Sequence, residues 1–188
     1  MSTEKREKIL EAAMRLFVEK GIQATPTSLI AKEAGVATGT LFHHFSTKEE
    51  LVHALYHAIY DSLLEYKESR MFEGGNVYER LKRSWQLDIE WGTAHVEYFH
   101  FLERYSFLYY MSESAINEIY DRFQHCFDLF RRALEERLMR SDDLEYIREH
   151  FVWNIRMNIA FFIEYPEKCT SENVENSFDI YWKGISND

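Results

Sequence analysis

From Thr3 to Lys20 the apolar positions Ile9, Leu10, Ala13, Leu16 and Phe17 recur at three- and four-residue steps with charge between them, which predicts an amphipathic helix closed by Gly21. Thr25 and Pro26 predict a side-chain cap followed by proline at the first helical position, where its missing N–H is harmless. The short segment TSLIAKEA turns Ile30, Ala31 and Ala34 inward; Gly35 stops it, and Val36 folds back as an apolar plug. A second short pattern, TGTLFHHF, sets Leu41 and Phe45 four apart on one face and leaves Thr38, Thr40, Phe42, His43 and His44 pointing elsewhere. Ser46 to Glu49 predicts a capping box with Ser46 as cap, opening a helix to about Arg70 whose stripe is Leu51, Leu55, Ala58, Ile59, Leu63 and Leu64.

The clearest interruption is MFEGGNV, after which helical periodicity continues. Val77 to Trp91 carries Leu81, Trp85 and Ile89, and Ala94 to Met111 is dense in aromatics. Ser112 predicts the start of one long helix reaching Leu138, and Ser141 another that ends before Pro166. Thr170 or Ser171 caps the last. The pattern therefore predicts an all-α fold of about nine helices without a strand. Residues 1–50 form a head of three helices and 51–188 a second helical domain, with the helix over 47–70 connecting them.

Two short helices joined by a glycine turn, the second with a small, polar leading edge, meet the requirements of a helix-turn-helix. The first helix braces the backbone while small residues let the second approach base edges. An ordinary helical hairpin with a glycine cap would produce the same local pattern.

Taken over the whole chain, a net charge of −10 argues against nucleic acid. Residues 1–50, however, hold seven Lys/Arg and seven Asp/Glu, so the whole surplus falls beyond position 50. A neutral head with suitably placed cations can approach a phosphate backbone that repels an acidic body. No long apolar run predicts a membrane span, and MSTEKREKIL lacks the apolar core of a signal peptide, so a cytoplasmic protein is expected. Cys126 and Cys169 lack CxxC spacing and are read as reduced thiols. Adjacent His43 and His44 face about 100° apart on a helix, so no metal site is expected. No cofactor loop or catalytic constellation stands out either, and an enzyme is not expected.

The order ILEAAMRLFVEKG, Thr25, IAKEAGV, GTLFHHF, Lys48 and Leu51 resembles the N-terminal domain of the tetracycline-repressor (TetR) family of one-component regulators. The resemblance covers residues 9–55, about a quarter of the chain. It implies a double-stranded DNA operator as partner, a homodimer, and an unidentified small-molecule effector of hydrophobic or aromatic character. It also implies roles at matched positions: Thr38 and Gly39 as base-edge contacts, Thr40 as a base or phosphate contact, and Thr27, Ser28, His43, His44 and Lys48 as phosphate contacts. Two positions depart from the family's pattern. Phe42 stands where tyrosine is usual, leaving apolar contact with a thymine methyl, and Ala37 stands where serine usually caps the recognition helix, leaving Thr38 to cap. These departures keep open a second reading, a helical small-molecule-binding module with a vestigial helix-turn-helix.

In this family the region EWGTAHVEYFHFLERYSFLYYM lines the effector pocket, which implies Trp85, Trp91, Phe101, Tyr105, Tyr109 and Phe127 as pocket residues, although such rings equally serve to fill a helical core. Glu90, Glu97 and Glu103 among these aromatics would suit a cationic, hydrophobic ligand. The helix from Leu144 to Glu164 is apolar nearly all round in its second half, so it requires burial on two sides. Pairing it and the last helix with their copies predicts a four-helix dimer interface through Phe151, Ile155, Ile159, Phe162, Phe178 and Trp182.

Overall fold

The computed structural model describes residues 2–71, 74–105 and 113–187. They form ten α-helices: α1 (Ser2–Lys20), α2 (Thr27–Glu33), α3 (Thr38–His44), α4 (Lys48–Glu68), α5 (Val77–Ala94), α6 (Val96–Arg104), α7 (Glu113–Arg122), α8 (Gln124–Glu135), α9 (Leu144–Glu164) and α10 (Ser171–Ile185). One 3-10 turn, Pro166–Lys168, lies between α9 and α10, and a lone β-bridge joins Met139 to Ser186.

Contacts divide the chain into two compact units, Met1–Ser62 with His95–Ile119, and Leu63–Ala94 with Tyr120–Asp188. The head expected over residues 1–50 is thus part of a larger unit that also includes the start of α4 and α6. The long helix expected from Ser112 is two helices, with Phe123 between them at φ −92 and ψ 8. Each half buries its apolar side in a different unit, Ile119 in the first and Leu129, Phe130 and Ala133 in the second. Ser112 itself lies outside the described residues.

In the first unit, α1 buries Ile9, Ala13 and Phe17, which pack with α2, α3 and α6. Gly21 ends α1 at φ +95, a left-handed conformation that a side chain would strain. The Tyr105 hydroxyl, buried just after α6, accepts from the Ile22 N–H at 3.2 Å and donates to the Phe17 carbonyl at 2.9 Å. Its own carbonyl accepts from the Tyr56 hydroxyl, and Arg104 donates to the Val18 carbonyl at 2.6 Å. The last turn of α1 is thereby pinned by residues more than eighty positions away.

Three caps differ from expectation. Thr25 does not cap α2; it is fully buried and donates to the carbonyls of Gly21 at 2.7 Å and Leu16 at 3.4 Å, while Pro26 holds the cap position without a side-chain bond. Burial of a hydroxyl requires a partner, and the carbonyls left open at the end of α1 supply it. The capping box before α4 lies one residue later: Thr47 accepts from the Glu50 N–H at 3.1 Å, and Glu50 accepts from the Ser46 N–H at 2.6 Å. Thr38 is the first residue of α3, and Ala37 occupies the cap without a side-chain bond.

In the second unit, α5 packs against α8, α9 and α10. Gly92 lets α9 come close, since a Cβ there would stand 2.5 Å from Ile159 Cδ1. A buried ion pair crosses this core: Lys67 donates to both carboxylate oxygens of Asp88, at 2.8 and 2.7 Å, and to the Ser84 hydroxyl at 2.8 Å. Burial holds the Asp88 carboxyl above the usual carboxylate range, against the opposing pull of Lys67 and Ser84.

Two stability outcomes follow from these contacts. Tyr105→Phe keeps the ring packing but orphans the Ile22 N–H, and urea unfolding should show a loss of about 1–3 kcal/mol. Lys67→Met strands a buried carboxylate and should cost about 3–5 kcal/mol at neutral pH. Because Asp88 then has a folded pKa raised still further above its unfolded value, the folded state binds the proton more tightly; the variant should regain stability as pH falls through that folded value. Lys67→Met with Asp88→Leu should recover most of the loss without the pH dependence, as read by unfolding curves at neutral and acidic pH.

Candidate nucleic-acid interface

Helices α2 and α3 are each seven residues long, and they meet through Gly35 at φ +65. The Gly35 N–H donates to the Lys32 carbonyl at 3.1 Å and the Val36 N–H to the Ala31 carbonyl at 2.9 Å, so the turn satisfies the last carbonyls of α2. Ile30, Ala31, Leu41 and Phe45 are buried and fix the two helices against α1. The opposite side of α3 is left to solvent.

That side carries the residues singled out from the sequence. Ser28, Thr38, Gly39, Phe42 and His43 are exposed, and Thr27, Thr40, His44 and Lys48 are half-buried. None of the nine is consumed by the core. Gly39 has a negative φ, and a Cβ built on it would meet nothing within 4 Å. Neither conformation nor packing within the chain requires glycine there, although glycine in a helix costs roughly 0.5–1 kcal/mol relative to alanine. Phe42 is 45% exposed, an apolar surface turned to solvent.

Sequence periodicity did not point to Arg6. Its guanidinium stands 5.3 Å from the centre of the Phe45 ring, which brings a cation from α1 to the end of α3. On the helix pattern of α1 it is only one of several polar positions, and the tertiary fold alone pairs it with Phe45.

The residues expected to line an effector pocket are divided between the two units. Phe101 and Tyr105 belong to the first unit, where Phe101 packs on the rings of Tyr56 at 5.2 Å and Tyr105 at 5.3 Å. Trp85, Trp91 and Phe127 belong to the second unit. Trp85 is a core residue, its indole N–H donating to the Ser177 hydroxyl at 2.9 Å and its ring 5.5 Å from Phe151. Trp91 is buried, and Phe127 is half-buried beneath the Arg148 guanidinium at 5.0 Å. Tyr109 lies outside the described residues. Large rings fill helical cores as readily as they wall cavities, and here hydrogen bonding and close ring contacts mark the core role.

The faces of α9 also differ from expectation. Phe151, Ile155, Ile159, Phe162, Phe178 and Trp182 are all buried within the protomer, so they are not available to a partner. The opposite face of α9 exposes Tyr146, Val152, Trp153, Met157 and Phe161, with Trp153 and Met157 about 60% accessible at 59% and 61%. Ile180 of α10 is 75% accessible. The two-sided apolar pattern of α9 is present, with the strongest stripe turned inward against α5.

Residues 9–55 match the family described as bacterial regulatory proteins, tetR family. The HTH-type transcriptional repressor KstR2 of Mycobacterium tuberculosis is 37% identical over 78 residues, which are 42% of this chain and 39% of that protein. The chain thus matches about two fifths of the length of this curated relative. A tetR-family transcription regulator from Shewanella sp. PV-4 has a structure of TM-score 0.90 at 25% identity, covering 98% of this chain and 99% of that one. AibR, whose structure contains isovaleryl coenzyme A and operator DNA, has a TM-score of 0.70 at 20% identity, covering 96% and 97% of the two chains. The family's sequence match falls on the helix-turn-helix, residues 9–55, and the likeness in fold to tetR-family transcription regulators runs through nearly every residue.

Proposed function

We propose that the chain is a repressor that binds a palindromic operator as a homodimer and releases it when a small-molecule effector binds. The observation that carries this reading is the edge Thr38-Gly39, exposed at the start of α3 beside the half-buried Thr40, with a glycine that the fold itself does not need. Close approach of a base edge supplies the missing reason. Thr38 and Gly39 would read base edges in the major groove, Thr40 a base or phosphate, and Phe42 a thymine methyl. Thr27, Ser28, His43, His44 and Lys48 would hold phosphates, with Arg6 adding a charge beside them.

The dimer would form through the exposed stripe of α9, Trp153, Met157 and Phe161, with Ile180 of α10. An apolar face of this kind is costly in water and marks an association surface. Two reading helices would then address half-sites roughly 34–36 Å apart. An effector can release DNA only by binding one spacing of those helices more tightly than the other. KstR2 is a ketosteroid transcriptional regulator and the structure of AibR contains isovaleryl coenzyme A, which supports a small-molecule effector here too.

Binding to the DNA flanking the gene tests the head. Affinity should fall steeply with salt, as counterion release requires, and a vestigial head would give no specific shift even at low salt. Gly39→Ala should stabilise the fold by up to about 1 kcal/mol yet weaken operator binding about tenfold or more. Phe42→Tyr restores a hydroxyl toward the backbone and should tighten binding roughly fivefold, the worth of one hydrogen bond. Light scattering tests the dimer: Trp153→Glu with Met157→Glu should give a folded monomer at micromolar concentration, whereas a solvent-facing mutation such as Glu145→Gln should leave the dimer intact.

A further inference from the structure

Helix α3 ends in two adjacent histidines, His43 exposed and His44 half-buried. Their rings meet edge to face, with centroids 5.6 Å apart and planes at 69°. Among the described residues neither imidazole has a hydrogen-bond or ion-pair partner, so their ring nitrogens are open to a group from outside the chain.

The charges around the pair come from the elements packed against α3. Arg6 of α1 stands 5.3 Å from the centre of the Phe45 ring, next in sequence to His44, while its neighbours Glu4 and Lys8 pair with each other at 2.7 Å. Lys32 and Glu33 end α2, and Glu33 is taken up by Arg15 of α1 at 3.0 Å. Lys48, Glu49 and Glu50 open α4, and Glu50 accepts from the Ser46 N–H at 2.6 Å. Of the side-chain types gathered here, histidine alone changes its charge near neutrality.

A DNA phosphate against the pair would favour an imidazolium by charge and by hydrogen bonding. Two imidazoliums at this separation would repel each other, and Arg6 would add to the repulsion. One proton held by the pair avoids that, because the edge of one ring meets the electron-rich face of the other, and such a pair titrates as a unit. On the reading of α3 as the helix that meets DNA, on which this rests, we infer that operator binding takes up about one proton per protomer at the His43–His44 pair. The proton is held more tightly in the complex than in the free chain. The affinity it adds is therefore full below the pH at which the free chain titrates and is lost as pH rises through the titration of the complex. Histidines that DNA does not touch titrate alike in both states and drop out.

The test uses the full chain and a fragment of the DNA flanking the gene, at fixed salt. Calorimetric titration in phosphate and in Tris, whose heats of ionisation differ, should show an uptake that peaks near neutrality at no more than about one proton per protomer. Fluorescence anisotropy should show affinity about tenfold or more weaker near pH 8 than near pH 6. His43→Gln and His44→Gln should each keep most of the uptake, because the remaining ring takes the proton. The double variant should bind more weakly, with an affinity that pH does not change. Lys48→Gln should weaken binding at every pH and keep the uptake. Imidazole carbon shifts in the unaltered complex locate the proton independently of any variant. Zero uptake, uptake near two protons, loss of all uptake in one single variant, or a proton located at another histidine would each overturn the inference while leaving operator binding intact. Absence of specific binding at every pH would instead overturn the reading of α3, and this inference with it.

Discussion

The hydroxyl of Tyr105 is the contact on which the placement of α2 and α3 depends. Where α1 ends, the carbonyl of Phe17 and the N–H of Ile22 lie in a buried environment, and a donor-acceptor group from distant sequence satisfies both. The Phe17 carbonyl also accepts from the Gly21 N–H at 2.9 Å, but leaving the Ile22 N–H open would cost more than the bond itself contributes. With that turn pinned, Thr25 closes the corner through the carbonyls of Gly21 and Leu16, and α2 begins directly after it. The tight turn at Gly35 then sets α3. Exposure of Thr38 and Gly39 is the last step in a sequence of constraints that begins with a tyrosine in α6's flank.

The second unit shows how one helix serves two surfaces. Along α9, Phe151, Ile155, Ile159 and Phe162 meet the core around Trp85, while Trp153, Met157 and Phe161 remain in solvent. Gly92 sharpens the inward contact by letting α9 close on α5. The Lys67–Asp88 pair adds an orientation-specific interaction to a core otherwise held by non-directional burial. Such a pair contributes little net stability after desolvation, yet loss of one partner is costly.

Local pattern carried far in this chain. The helical periods, the glycine stop at position 35 and Thr170, one of two candidate caps for the last helix, were legible, because each depends on residues within a turn of one another, whereas α9 is capped by Asp143, two residues after the expected Ser141. The family's spacing over residues 9–55 was legible for the same reason. Short-range ambiguity appears as one-residue errors: Ser46-Thr47 offers two hydroxyls and Glu49-Glu50 two carboxylates, and only the path of the chain selects Thr47 and Glu50.

By itself, then, the sequence determined the all-α class, the helix-turn-helix and the set of polar residues on its outer side, because periodicity and turn chemistry act over a few residues. The tertiary structure decided what periodicity cannot distinguish. It turned one apolar stripe of α9 inward and left the other exposed, and it split the helix expected from Ser112 between two cores. It also made Phe101, Tyr105 and Trp85 parts of the packing. Two apolar faces of one helix are chemically equivalent until neighbours from elsewhere in the chain bury one of them, and an aromatic ring is a core residue or a pocket wall according to what stands across from it.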